Sequence, residues 1–146
     1  MTLPAYDEIA ENLAVLEDWE DRYAYLIQIG KALPSLPAEL RTEANRVQGC
    51  ASQVWLATRV EGDADPIMTF AGDSDALIVR GLVALAVALN SGRKASEVAA
   101  TDTFATFDGL GLKAHLSSQR SNGLRSMVAR IKRDADAALA AAPIKA

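Results

Sequence analysis

The chain has 146 residues, half of them hydrophobic and 23% charged, with a formal net charge of -4. That length and balance exclude wholesale disorder and suit one globular domain over residues 1–146, with the first few residues and the tail after Ala142 frayed. An acidic balance supplies no basic field for phosphates, which excludes nucleic acid as the main partner.

Met1 to Glu8 shows no basic segment followed by an apolar stretch, so no secretory signal is expected and a cytoplasmic location is the default. Tyr6, Ile9, Leu13 and Leu16 recur at helical spacing. After Asp18, suited to an N-cap, Trp19, Tyr23, Leu26, Ile27 and Gly30 do the same, which predicts two amphipathic helices. Pro34 and Pro37 each lack a donor and restrict the residue before them, so Leu33 to Pro37 reads as a connector, with a short turn near Ala38 to Arg41.

Asn45 to Gln48 is a candidate for a short third strand. Val54 to Val60 alternates, with Val54, Leu56 and Val60 on one face and Trp55, Ala57 and Arg59 on the other. Gly62 to Pro66 is a turn, and Ile67 to Ala71 is apolar and β-prone, which predicts a hairpin. Gly72 to Asp75 is expected to end the sheet, with Asp73 or Ser74 capping the following helix and Asp75 complementing its dipole.

Ala76 to Asn90 is apolar nearly all round, interrupted by Arg80 and Gly81, and is too short for a membrane span, which needs about 20 residues. It reads as a helix in the middle of the domain. Ser96 to Val98 begins a short turn of helix, and Gly109 and Gly111 mark a loop toward Leu112, His115 and Leu116. Leu124, Met127, Val128, Ile131 and Ala135 form the stripe of a last helix, capped by Ser121 or Asn122 and fraying before Pro143. The order of elements predicts an α+β fold, a small antiparallel sheet of about three strands with helices packed on it.

Cys50 is the only cysteine, so the chain forms no internal disulfide and lacks the thiolates that hold a zinc or iron-sulfur centre. It follows Gly49, whose backbone freedom suits a turn or a close approach to a partner. An isolated thiol titrates at about 8.5 and is mostly protonated near neutral pH, and Arg46 is the nearest cation in sequence. By itself Cys50 reads more readily as a packed small hydrophobe than as a reactive thiol. His115, the only histidine, reads as structural. Trp55 reads as packing under a helix, and Arg120 to Gly123 as a loop into a capped helix.

Several blocks in order carry a resemblance. Arg22-Tyr23 with Leu26-Ile27 and Gly30, Leu33-Pro34, and Val47-Gln48-Gly49-Cys50-Ala51-Ser52-Gln53-Val54-Trp55 come first. Gly72-Asp73-Ser74-Asp75-Ala76, Ile78-Val79-Arg80-Gly81-Leu82 and His115-Leu116-Ser117 through Arg120 to Asn122-Gly123-Leu124 follow. From about Trp19 to Ile131 the chain resembles the SufE family, with little departure from its pattern and no inserted domain.

The resemblance implies a fold like that of the IscU scaffolds. It also implies that Cys50 is a sulfur-accepting cysteine, taking sulfur from the persulfide of a pyridoxal-phosphate-dependent cysteine desulfurase of the SufS or CsdA type and stimulating it. A SufB-containing scaffold complex is the implied recipient. The pyridoxal phosphate belongs to the desulfurase, and no cofactor or metal of the chain's own is implied. Gly49, Ser52, Gln53, Asp75 and Arg120, with Trp55 as a further candidate, match positions of the cysteine loop and its surroundings and are expected to hold or release that loop or to meet the partner. These residues do not distinguish a Suf from a Csd desulfurase. Two other readings differ in kind: a stand-alone thiol peroxidase, which needs a low thiol pKa, and an interaction module in which Cys50 is only packed.

Overall fold

The structure is a computed structural model and describes residues 3–50, 52–112 and 116–141. The two opening helices are α1 (Tyr6–Val15) and α2 (Trp19–Ala32). Asp18 caps α2 as its position predicts, its carboxylate accepting from the Glu20 N–H at 3.2 Å. Ile9 and Leu13 of α1 and Leu26 and Ile29 of α2 are buried, the stripe the periodicity predicts. The proline-bearing connector contains a single 3-10 turn, Ala38–Leu40.

Strands β1 (Val54–Glu61) and β2 (Ile67–Ser74) form the predicted antiparallel hairpin, with Val54 opposite Ser74 and Glu61 opposite Ile67. The third strand is β3 (Arg93–Lys94), paired with Ile67 and Met68, and the sheet order is β1-β2-β3. Asn45 to Gln48 is therefore not the third strand. The Thr42 and Glu43 carbonyls accept from the Asn45 and Arg46 N–H groups in a turn. That turn leaves only one isolated bridge, Arg46 to Trp55, on the β1 edge.

The sheet also ends later than its sequence suggests. Gly72, Asp73 and Ser74 continue β2, and the next helix, α3 (Leu77–Asn90), is preceded by Ala76 with no side-chain cap. Asp73 is drawn away from capping by charge, since its buried carboxylate receives Arg41 and Arg80 at 2.6 Å each. Asp75 turns instead to the Gln53 N–H at 3.0 Å. The expectation that α3 occupies the middle of the molecule holds: Leu82 to Ala86 are buried, with Val83 to Ala86 wholly so. It crosses α2 at two glycines. A methyl on Gly81 would run into the Leu26 carbonyl, and one on Gly30 would lie 2.7 Å from the Gly81 nitrogen, so both positions require the bare backbone.

Beyond β3 come α4 (Ala95–Ala100), α5 (Thr103–Asp108) and α6 (Ser118–Ala141). The spacing of apolar residues does not predict α5; its signal is local, Asp102 accepting from the Ala105 N–H at 3.0 Å while Phe107 is buried. Helix α6 starts earlier than expected. Ser117 receives the Arg120 N–H at 3.2 Å, which puts Ser121 and Asn122 inside the helix rather than at its cap. Leu124, Met127, Ile131 and Ala135 are buried as predicted, and Ala138 extends the stripe. His115 and the tail from Ala142 lie outside the described residues. Among the described residues no helix is long and apolar enough to cross a membrane.

Candidate functional site

The approach to Cys50 is set by two backbone features. The Val47 N–H donates to the Val54 carbonyl at 2.8 Å, so the chain leaves the β1 edge at Val47 and rejoins it at Val54. Between them Gly49 has φ of +87°, a conformation that disfavours any side chain, and a methyl there would lie 2.7 Å from Ser126 Oγ. Cys50 therefore sits on a loop drawn against α6. Its Sγ lies 3.6 Å from the Gly123 carbonyl oxygen, a long S–H donation.

The thiol is half-buried at the wall of a cavity of about 330 Å³. Val54, Val79, Leu82 and Met127 form its apolar side, while Ser52 and Arg120 add polar groups. Burial pushes the Cys50 thiol pKa up, and Arg46, whose charge favours the thiolate, offsets this only in part. The carbonyl at Gly123 acts in the same sense as burial, because it accepts from the thiol and offers a thiolate nothing. Both influences favour the neutral thiol.

The far end of the loop is tied down at the root of the hairpin. Asp75 accepts the Gln53 N–H at 3.0 Å and returns its own N–H to the Gln53 carbonyl at 3.3 Å. Ser74 Oγ donates to that same carbonyl at 2.8 Å. The Gln53 side chain is thus free to face solvent while its backbone is fixed. Arg120 lines the cavity with its guanidinium 5.8 Å from the Tyr23 ring centroid, a cation-π contact that links α6 to α2.

Of the residues singled out in the sequence, Cys50, Ser52 and Arg120 meet at one cavity, Gly49 shapes the turn into it, and Gln53 and Asp75 interlock at its edge. Trp55 does not join them. It lies on the opposite face of the sheet from Val54 and Leu56, with the Arg41 guanidinium 5.4 Å from its ring centroid. Sequence reasoning missed Asp73 as an ion-pair centre. Beside the two arginines it accepts the Leu36 and Ser74 N–H groups, and Arg80 reaches on to the Gly30 and Leu33 carbonyls. These contacts bind the connector, β2 and α3 into one frame below the cysteine loop. The buried position of Asp73 beside an arginine one helical turn inside α3 carried no signal distinguishable from a helix cap.

The sequence profile described as SufE, Fe-S metabolism associated domain, matches residues 7–135. The chain belongs to the SufE family. It is 57% identical over 140 residues to a SufE-like protein of Rhizobium etli, covering 95% of each chain. A SufE-like protein of Rhizobium meliloti is 54% identical over 140 residues, covering 95% of this chain and 100% of the relative. The sulfur acceptor protein CsdE of Escherichia coli is 42% identical over 121 residues, covering 83% of this chain and 81% of the relative. The fold is shared with the solution structure of a hypothetical protein from Thermus thermophilus, with a TM-score of 0.75 at 21% identity over 97% of this chain and 100% of that one. As a SufE-family chain it has a place in Fe-S metabolism, and its only thiol stands at the cavity between the hairpin and α6.

Proposed function

We propose that the chain is a sulfur carrier: Cys50 takes one sulfane sulfur from the persulfide of a pyridoxal-phosphate-dependent cysteine desulfurase and delivers it to iron-sulfur cluster assembly, with a SufB-containing scaffold complex as recipient. The observation that carries this reading is the setting of the sole cysteine. It lies on a glycine-entered loop at the wall of a largely apolar cavity, in a chain 42% identical to a sulfur acceptor protein.

The step is a thiol exchange without net oxidation. The Cys50 thiolate attacks the outer sulfur of the desulfurase persulfide, a new S–S bond forms at Cys50, the old S–S bond breaks, and the desulfurase cysteine leaves as thiolate. A thiol whose pKa burial raises attacks only slowly from its resting position. Cys50 therefore moves away from the Gly123 carbonyl when the partner docks, with Gly49 absorbing the backbone change and the Asp75–Gln53 tie keeping the other end of the loop in place. Stimulation of the desulfurase follows, because removing its persulfide frees it for another turnover. A stand-alone peroxidase would need a thiolate at rest, and the environment of Cys50 pushes the other way.

The test is the intact mass of the protein after incubation with a cysteine desulfurase and L-cysteine without reductant, beside Cys50→Ser. The expected result is one added sulfur atom on the wild type, removed by reductant and absent from the serine variant. No added sulfur with desulfurases of both the Suf and Csd types, in natively folded protein, would leave Cys50 as a packed residue of an interaction module.

A further inference from the structure

Gly123 lies early in α6 and has no reason in its own backbone to be glycine. It is not among the glycines with positive φ, and alanine is the better helix former. The resting thiol does not require it either. A methyl built on Gly123 would lie 3.5 Å from Cys50 Sγ, 3.7 Å from its Cβ and 3.9 Å from its Cα, all ordinary contact distances. Gly30 and Gly81 differ in this respect, because there a methyl meets backbone.

What such a methyl would obstruct is a second sulfur on Cys50. An S–S bond of about 2.05 Å carries the terminal sulfur around a circle about the Cβ–Sγ axis. With the methyl at the distances above, roughly two-fifths of that circle falls inside its contact distance. Gly123 is also part of the wall of the cavity at Cys50.

We propose that Gly123 is a positioning residue for the sulfur-loaded state: its missing side chain forms the niche in which the terminal sulfur of a Cys50 persulfide lodges against α6, shielded from thiols in solution. This rests on the reading of Cys50 as the sulfur-carrying residue. The niche takes a single sulfur atom, and a methyl placed in it makes only ordinary contact with the unloaded thiol.

The test loads wild-type protein and Gly123→Ala with inorganic polysulfide, which needs no desulfurase. The Cys50 thiolate takes one sulfane sulfur and the polysulfide leaves one atom shorter. After removal of excess polysulfide, loss of the added sulfur to dilute dithiothreitol is followed by intact mass, and the unloaded thiol is labelled separately with iodoacetamide. The alanine variant should fold with an unchanged or raised Tm and label within about twofold of wild type, while its persulfide is lost at least about threefold faster. Gly123→Ser, which adds a hydroxymethyl at the same place, should separate the two forms in the same way.

Equal persulfide lifetimes overturn the proposal. So does a rise in labelling of the unloaded thiol that matches the rise in persulfide loss, since the methyl would then merely open the loop. Wild-type protein that takes no sulfur at Cys50, from polysulfide or from a desulfurase with L-cysteine, overturns the reading of Cys50 itself and this inference with it. A loaded wild type beside indifferent Gly123 variants overturns the Gly123 proposal alone.

Discussion

At the level of single residues, Cys50 is governed by two opposed influences, burial favouring the neutral thiol and Arg46 favouring the thiolate, with burial the larger. Its folded pKa is raised above the unfolded value, so the folded state holds this proton more tightly. The resulting stabilisation is complete below the unfolded pKa and is lost as pH rises through the folded one. Two outcomes follow. The rate of iodoacetamide labelling of native protein should titrate with a midpoint above that of the urea-unfolded chain, and Arg46→Ala should move the native midpoint further up. A native midpoint at or below the unfolded one would show that the thiol is activated at rest.

At the level of elements, the cysteine loop depends on supports that are themselves tied together by Asp73. Its carboxylate joins Arg41 of the connector and Arg80 of α3 to β2, at 2.6 Å in each case. Asp73→Ala would leave the Arg80 guanidinium, mostly withdrawn from solvent, without its counter-charge, and the expected loss is about 3–5 kcal/mol in urea unfolding at neutral pH. Arg41→Ala should cost less, about 1 kcal/mol, because its side chain is 40% exposed and solvent already screens its half of the network. Equal losses for the two variants would mean that the Arg41 pair carries the effect and that Arg80 does not depend on Asp73. The same region marks a limit of local pattern reading. Gly72 to Asp75 has the composition of a cap and a turn, yet pairing with Val54 to Leu56 keeps Gly72 to Ser74 in the strand. Long-range hydrogen bonds outweigh local preference there.

At the level of the whole molecule, the core and the sulfur-bearing group are nearly separable. The buried cluster runs from α1 and α2 through the core face of the hairpin to α3 and α6, and Cys50 only packs against its edge. Cys50→Ser should therefore keep the fold, with a Tm within about 4 °C of wild type by differential scanning calorimetry, since it removes no fully buried apolar group. A larger fall would give the cysteine a structural weight its half-buried position does not suggest. A carrier needs this arrangement, in which the loop presenting the thiol can move without loosening the molecule.

The sequence by itself determined the α+β class, the four long helices, the hairpin and the family, and singled out Cys50 as the thiol to test, because these rest on periodicity over many residues, on proline and glycine chemistry, and on motifs contiguous in the chain. Tertiary structure alone decided that β3 completes the sheet, that Asp73 pairs with arginines while Asp75 holds Gln53, and that Cys50, Arg120 and Gly123 share one cavity wall. Each of these joins residues far apart in the chain. Their geometry follows from how α2, α3 and α6 pack on the hairpin, and no local spacing of residues encodes it.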